Sequence, residues 1–246
     1  MKIMVGIDDT DGVGTRGTGA LAVLLGQLIE EKGWGKAMPV TRHQLLVHPS
    51  IPYTSHNSSM CFEAGIDDVY LNSFIAAAAC FLESECAPGS DPGLCVVNVE
   101  QLQDRKGLID FGYRAKEQII SKEDAYDLAK RAGVHLSEHG GTGQGVIGAM
   151  AGVGLRLSGN DGRFKGKLKV LAPDGIISVR DIKLQTGVEE VRSLGGKAVL
   201  DDGEMVRPGE KIKAVLLDSK MTLLVFPTGT DYPRWQTCTK DQLKKF

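Results

Sequence analysis

No Cys-x-x-Cys pair occurs in this 246-residue chain, and its five cysteines (Cys61, Cys80, Cys86, Cys95 and Cys238) are odd in number. That speaks against a structural zinc site or a disulfide scaffold, and for small apolar core residues in a reducing compartment. Long apolar runs are also missing: nothing approaches the ~18 consecutive apolar residues of a membrane span. The opening Lys2–Ile7 run is too short, and too soon broken by carboxylates, for a signal peptide. A cytoplasmic protein without a membrane partner is therefore expected. Charge of one sign is lacking too. Against 31 Asp+Glu stand 29 Lys+Arg, a net charge of −2, so the chain as a whole carries no strong bias toward nucleic acid or membrane. Weak affinity for polyanions follows, though a local basic patch stays possible. There is no fixed-period repeat and no low-complexity segment.

What is present is ordinary globular material: 42% hydrophobic and 24% charged residues, enough for one large or two small domains with a sizeable core. Lys2 to Ile7 reads as a short buried strand, Asp8 to Gly17 as a polar, glycine-rich turn, and Thr18 to Lys32 as a helix stopped by Gly33. Gln44 to Val47 suggests a second strand, Asp68 to Glu83 a helix and Leu94 to Val99 a third strand. Ser121 begins a further helix that Gly133 ends, and an apolar helix follows over Val146–Leu155. After about Asn160 short strands dominate: Lys167–Leu171, Ile176–Arg180, Ile212–Leu217 and Met221–Phe226. The last two face each other across Asp218-Ser219-Lys220, a hairpin signal. The expected fold class is α/β (α+β), with an α/β region over residues 1–160 and a β-rich region over 161–246.

The chemistry concentrates after the first strand. Asp8, Asp9 and Asp11 place three carboxylates within four positions, and groups this close repel unless a cation lies between them. Hard oxygen donors in this position suit Mg²⁺, commonly held by one or two carboxylates together with substrate phosphates. A solvated acidic turn capping the helix is the plainer alternative. The loop Gly12-Val13-Gly14-Thr15-Arg16-Gly17-Thr18-Gly19 can bring backbone N–H groups close to phosphate, with Arg16 adding charge. It is no Walker motif, and an ordinary flexible turn is its bland counterpart. A second glycine loop, Gly140-Gly141-Thr142-Gly143-Gln144-Gly145, opens the small-residue helix. His135 and His139 just upstream could be ligands or bases, but a loop position suits them better. His56, Asn57 and Ser58 form a compact polar run that could line a substrate cleft or lie exposed. Tyr232 and Trp235 read as packing residues.

Taken in order, several of these blocks resemble the N-terminal, kinase-like part of archaeal tRNA-Ile 2-agmatinylcytidine synthetases. The run Val5-Gly6-Ile7-Asp8-Asp9-Thr10-Asp11 with Gly14 and Thr18 is one. Asn57 after Pro52-Tyr53, the segment Pro92–Val97, and Gly143-Gln144-Gly145-Val146-Ile147-Gly148-Ala149-Met150-Ala151 are the others. The resemblance covers about residues 1–155. It implies a kinase-like, ferredoxin-like N-terminal part binding ATP and Mg²⁺. Asp8, Asp9 and Asp11 would hold the metal, with these and Thr18 catalytic. Gly12, Gly14, Thr15, Arg16, Gly17, Gly141, Gly143 and Gly145 would hold the nucleotide, and His56, Asn57 and Ser58 the substrate. It also implies phosphorylation of a tRNA cytosine at C2–O, displacement by agmatine, and autophosphorylation of a threonine matching Thr15 or Thr18. Thr142 and Ser58-Ser59 depart from the family pattern. The family's OB domain and zinc ribbon have no counterpart here, so a shortened relative is expected. An ATP-dependent phosphotransferase or ligase-like enzyme is the first reading of function, with tRNA a possible partner. A non-catalytic nucleotide- or RNA-binding module is the second. The carboxylate triplet favours the first, since a passive phosphate binder has no need of three acids beside its anion.

Overall fold

A computed structural model describes residues 1–51, 57–196, 198–244 and 246, and the chain divides into two compact units, Met1–Ser158 and Gly159–Phe246. The sequence of the first unit alternates in a way that buries both faces of a sheet. In β1 (Lys2–Asp8), Ile3, Val5 and Ile7 point to one side and Met4, Gly6 and Asp8 to the other. On the first side lie α1 (Thr18–Glu31) and α2 (Leu71–Glu85). Their apolar stripes, Leu21, Leu25 and Ile29 on one and Phe74, Ala78 and Leu82 on the other, complete that half of the core. On the second side lie α3 (Arg105–Glu117), α4 (Lys122–Ala132) and α5 (Gly145–Leu157), built around Leu108, Phe111, Leu128, Met150 and Leu155.

Within this unit the strand order is β6 (His135–Glu138), β5 (Gly93–Asn98), β1, β4 (Ser58–Ile66), β3 (Thr41–Gln44), with β2 (Gly35–Ala37) also against β4. Every pairing is antiparallel. The fold is thus α+β, an antiparallel sheet with helices on both faces. The end of β1 meets the beginnings of its neighbours: Asp8 pairs with Gly93 and Ile7 with Met60.

Helix α5 carries its small residues because it lies almost on the sheet. A Cβ at Gly6 would sit 2.2 Å from Ala149 O, and one at Gly93 would sit 2.2 Å from the Gly145 carbonyl carbon. On the opposite flank, Gly154 and Gly112 let α3 and α5 cross closely, since a Cβ at Gly154 would fall 2.0 Å from Leu108 O.

The second unit is mainly β: β7 (Arg163–Phe164), β8 (Ile177–Ser178), β9 (Glu190–Ser193), β10 (Met205–Arg207), β11 (Ala214–Leu217), β12 (Lys220–Pro227) and β13 (Trp235–Thr237). They run in the order β7-β11-β12-β13-β10-β8, with β9 parallel to β12. The expected hairpin is β11–β12, and Asp218 and Ser219 take φ of 47° and 61°, the two left-handed residues of a type I′ turn. Two expected strands are corrected. The segment expected over Ile176–Arg180 pairs only at Ile177–Ser178 and then becomes α6 (Val179–Thr186). The cause is an N-cap: Ser178 Oγ accepts from Asp181 N–H at 3.1 Å, and Gly187 closes the helix at φ 73°. In Lys167–Leu171 only Leu168 forms a bridge, to Ile212. Trp235 is buried in the core of this unit, its indole N–H donating to Glu204, whereas Tyr232 is exposed.

Candidate active site

A cavity of about 560 Å³ opens where β1 ends. One half of its wall is polar: Asp8, Asp9 and Asp11 with Gly17, Thr18 and Gly19. The other is largely apolar, formed by Leu45, Met60, Ala115, Ile119, Ile120 and Ile147. Arg42, Asn57, Ser58, Gln118 and Gln144 add side-chain polar groups, and Gly145 and Gly148 of α5 complete the lining. The volume lies within the usual range for small-ligand sites.

The three carboxylates are held differently. Asp8, the last residue of β1, is pushed up from 3.8 to about 7, by burial first and then by the neighbouring Asp9 carboxylate. Asp9 is raised to about 6 by burial, then by Asp91 and Asp11. Its backbone takes φ 51°, a left-handed conformation rare outside glycine, found preferentially where function over-determines the backbone. Asp11 Oδ1 accepts the Thr18 hydroxyl at 2.9 Å.

Thr18 is therefore not a helix cap, contrary to the capping role its sequence position suggests. The N-cap of α1 is Gly17, which has no side chain to offer, and Thr18 is the first helical residue, 6% exposed. Ala20 N–H and Leu21 N–H both turn back to Gly17 O, while the Thr18 and Gly19 N–H groups have no protein acceptor among the described residues. Two unused backbone donors at a helix N-terminus, on the wall of a cavity, form a ready anion site.

Not all of the first glycine loop reaches the cavity. Gly12 and Thr15 close a turn on themselves: Gly12 N–H donates to Thr15 Oγ1 at 2.8 Å and Thr15 N–H to Gly12 O at 3.1 Å. Arg16 points away and pairs with Glu85 at 2.9 Å on the surface. Neither these residues nor Gly14 lines the cavity.

The second glycine loop serves packing more than ligand contact. Asp91 accepts from both the N–H and the hydroxyl of Thr142, and Gly145 N–H donates to Asp91 O at 3.1 Å. A Cβ at Gly141 would fall 1.5 Å from Asp91 Oδ1, and one at Gly143 would fall 1.8 Å from Glu138 Oε2; both glycines also have positive φ. Of Gly141, Gly143 and Gly145, only Gly145 lines the cavity.

Asn57 and Ser58 do line it. Asn57 braces the wall, its amide donating to Leu46 O at 2.6 Å. His56 lies outside the described residues, as do Pro52 and Tyr53. Neither His135 nor His139 lines the cavity; His139 follows β6 at the start of the second glycine loop, whereas His135 lies on the strand. His135 and Ser137 are on β6, and Ser137 Oγ bridges the two imidazoles at 2.9 and 2.8 Å. Arg42 and Gln118 are polar cavity residues that sequence patterning missed. Arg42 sits on β3 and donates from Nε to Ser58 Oγ at 2.9 Å. Its strand begins three residues before the expected Gln44–Val47, and the alternation of buried Thr41 and His43 with outward Arg42 and Gln44 is the signal that could have found it.

No family profile matches the chain. A tRNA-Ile 2-agmatinylcytidine synthetase of Archaeoglobus fulgidus is 32% identical over 164 residues, which is 64% of this chain and 36% of that protein. That of Methanosarcina acetivorans is 27% identical over 160 residues, 63% of this chain and 36% of the relative. The crystal structure of the synthetase TiaS with its isoleucine tRNA and ATP superposes with a TM-score of 0.54 at 28% identity, over 63% of this chain and 36% of that one. Over somewhat under two thirds of its length the chain is similar to the agmatinylcytidine synthetases. It spans about a third of the length of these curated synthetases. An uncharacterised protein of Methanocaldococcus jannaschii, 29% identical over 158 residues, is matched over half its length.

Proposed function

We propose that the first unit binds ATP with Mg²⁺ in the cavity beyond β1 and transfers its phosphoryl group, as a phosphotransferase or synthetase of the agmatinylcytidine synthetase type. One observation carries this reading. Two carboxylates whose ionisation is opposed by burial and by neighbouring carboxylates, Asp8 and Asp9, share a cavity with two unused helix N–H groups. Anion donors and surplus carboxylates are mutually repelling neighbours for any ligand of one sign. A phosphate carrying a divalent cation satisfies both.

The donor set fits Mg²⁺ in particular. Among the described residues no three His, Cys, Asp or Glu side chains form a metal cage. Mg²⁺ needs none, since one or two carboxylates suffice when phosphate and water complete its shell. Asp8 and Asp9 would hold the ion, and Mg²⁺ there would supply charge neutralisation on the phosphates. Thr18 and Gly19 N–H groups would bind phosphate oxygens. Asp11, fixed by Thr18, orders the loop between them. The apolar half of the cavity would cover the adenine ring. Arg42 and Asn57, on the same wall, would border the acceptor. Such a site works by positioning and by charge stabilisation rather than by covalent chemistry of the protein. A relative captured with an isoleucine tRNA and ATP supports nucleotide binding and makes tRNA the first acceptor to test.

The test is titration calorimetry of ATP in Mg²⁺ and in EDTA, paired with phosphate release with and without bulk tRNA and agmatine. Mg²⁺-dependent ATP binding that weakens at least tenfold in Asp9→Asn is expected. Equal ATP affinity in EDTA and Mg²⁺ would refute the site.

A further inference from the structure

A second set of titratable side chains gathers on β6, the edge strand of the first unit's sheet. Leu136 packs into the core built with α3, α4 and α5, so alternation turns His135 and Ser137 to the other side, toward α2. His139 N–H donates to Pro92 O at 2.8 Å, which carries the pairing with β5 one residue past the strand and sets His139 on that same side. Cα atoms four residues apart on a strand stand ~13 Å apart. The two imidazoles nevertheless converge. His135 Nε2 lies 2.9 Å, and His139 Nε2 2.8 Å, from the one Ser137 Oγ.

A hydroxyl brings one proton, so as a donor it can serve only one of these two nitrogens. Glu83 of α2 lies 3.4 Å from His139 Nδ1, which holds a proton on that nitrogen and leaves Nε2 bare. Ser137 therefore donates to His139, and His135 supplies its own N–H to Ser137. His135 Nδ1 has no partner among the described residues. Moving the His135 proton to Nδ1 thus gives up no bond there and frees its Nε2 as well. Burial, and then the neighbouring His139, lower the pKa of His135, which favours the uncharged ring. Two Nε2 lone pairs can so be turned on one point beside a hydroxyl oxygen, with a carboxylate behind one ring. A carboxylate in that place is the usual support of a metal-ligating histidine.

We propose that His135 and His139, with Ser137 between them, bind a divalent transition-metal ion of the nickel, copper and zinc group. These ions favour imidazole nitrogen, whereas the carboxylates of the cavity suit Mg²⁺. The spacing agrees. Ligand atoms ~2.0–2.1 Å from one ion stand ~2.9 Å apart at a right angle, and the two N···O separations are 2.9 and 2.8 Å. A right-angled set of nitrogen and oxygen suits Cu²⁺ and Ni²⁺ best. Among the described residues no three His, Cys, Asp or Glu side chains gather into a cage, so water fills the remaining positions. The site is open and exchangeable, unlike a closed structural zinc site. None of His135, Ser137, His139 and Glu83 lines the cavity, so the site stands independently of the ATP reading.

The experiment titrates the full chain, free of any histidine tag, with CuCl₂, NiCl₂ and ZnCl₂ by calorimetry in a non-chelating buffer with excess Mg²⁺. One ion per chain is expected, held more tightly as Cu²⁺ than as Ni²⁺ or Zn²⁺. His135→Gln and His139→Gln should each weaken Cu²⁺ at least tenfold. Glu83→Gln should weaken it several-fold, less than either histidine. His48→Gln, which removes an exposed imidazole elsewhere, should change it less than twofold. Electron paramagnetic resonance of the Cu²⁺ complex should show coupling to two imidazole nitrogens in wild type and to one in either histidine variant. Circular dichroism checks folding. Should His139→Gln, at a nearly buried position, fail to fold, His135→Gln alone must lose the tenfold and one nitrogen. No bound ion, unchanged affinity in His135→Gln, or a Cu²⁺ complex without nitrogen coupling would overturn the proposal. Calorimetry with ATP on the same variants keeps the two sites apart. Lost ATP binding with the two-nitrogen Cu²⁺ signal intact strikes only the ATP reading.

Discussion

A Cβ on residue 148 would lie 1.7 Å from Asp8 Oδ2, so Gly148 and the Asp8 carboxylate divide one small space between helix and strand. Gly148 has ordinary helical backbone, and alanine there would gain helix propensity of about 1 kcal/mol. The conflict is with a side chain that can swing, so Gly148→Ala should fold while displacing Asp8. We expect stability within about 2 kcal/mol of wild type and ATP affinity at least tenfold weaker. Gly6→Ala is the contrasting case. Its Cβ would meet a main-chain atom, Ala149 O, at 2.2 Å, and neither strand nor helix can yield. That variant should lose several kcal/mol or fail to fold. Denaturant melts and calorimetry distinguish the two, and full ATP affinity in Gly148→Ala would place nucleotide binding elsewhere.

The carboxylates make a pH prediction. Asp8 titrates near 7 and Asp9 near 6 in the folded chain, against an ordinary 3.8. Between about pH 4 and 7 the native state holds protons the unfolded chain has released, so stability falls as pH rises and the loss is complete above the folded values. Metal-free protein should melt at a lower temperature at pH 8 than at pH 5.5. Asp8→Asn removes the penalty and should stabilise the metal-free protein at pH 8 by on the order of 1–4 kcal/mol, while abolishing Mg²⁺-dependent ATP binding. Adding Mg²⁺-ATP at pH 8 should raise the melting temperature of wild type and not of Asp8→Asn. Greater wild-type stability at pH 8 without metal would contradict the shifts.

The strand, loop and helix at the start of the chain are legible because local rules agree there. Alternating Ile3, Val5 and Ile7, three aspartates and the periodic Leu21, Leu25 and Ile29 all point one way. The antiparallel order of the sheet is not legible, since β1 is buried on both faces and its apolar run would suit a parallel sheet as well. The α5 glycines announce close packing, but only the fold shows that Gly148 faces Asp8, Gly152 faces Ser59 and Gly154 faces α3. Helix α3 gives little sequence signal because its stripe of Leu108, Phe111 and Ala115 is thin and two of its residues are glycine. Arg42 was invisible for a plainer reason: a lone cation gains meaning only once β3 brings it to the cavity.

Arg16 offers a test of loop chemistry against geometry. Its neighbours suggest a phosphate clamp, yet its guanidinium is mostly exposed and bound to Glu85 at 2.9 Å. An exposed pair of this kind is worth about 0–1 kcal/mol. Arg16→Ala should therefore cost little stability and change ATP affinity less than threefold. A tenfold or greater loss of affinity would mean that the loop closes over the ligand and releases Glu85, which Glu85→Ala would then reproduce as a gain.

Thr18 decides what the first glycine loop is for. A threonine at this point of a sequence could cap the helix, contact phosphate or accept a phosphoryl group. The N-cap position belongs to Gly17, so Thr18 makes no cap and the cost of about 1 kcal/mol expected for a lost one does not apply. Instead the hydroxyl donates to Asp11 Oδ1 at 2.9 Å from a position on the cavity wall, beside the unused N–H groups of residues 18 and 19. Thr18→Ala leaves the Asp11 carboxylate without this donor in a partly buried site already crowded with charge. We expect ATP affinity to fall about tenfold, which corresponds to about 1.4 kcal/mol, with Thr18→Ser close to wild type because it keeps the donor. Intact-mass and peptide mapping after incubation with ATP and Mg²⁺ then separate the remaining roles. Phosphate on Thr18 means that the hydroxyl must leave Asp11 to reach the γ-phosphate, and Asp11→Asn should alter the rate of that labelling. Unmodified Thr18 with weakened ATP binding in Thr18→Ala means that it orders the loop. Unchanged ATP binding in Thr18→Ala, with no label on Thr18 or Thr15, would remove the Thr18–Asp11 pair from the site.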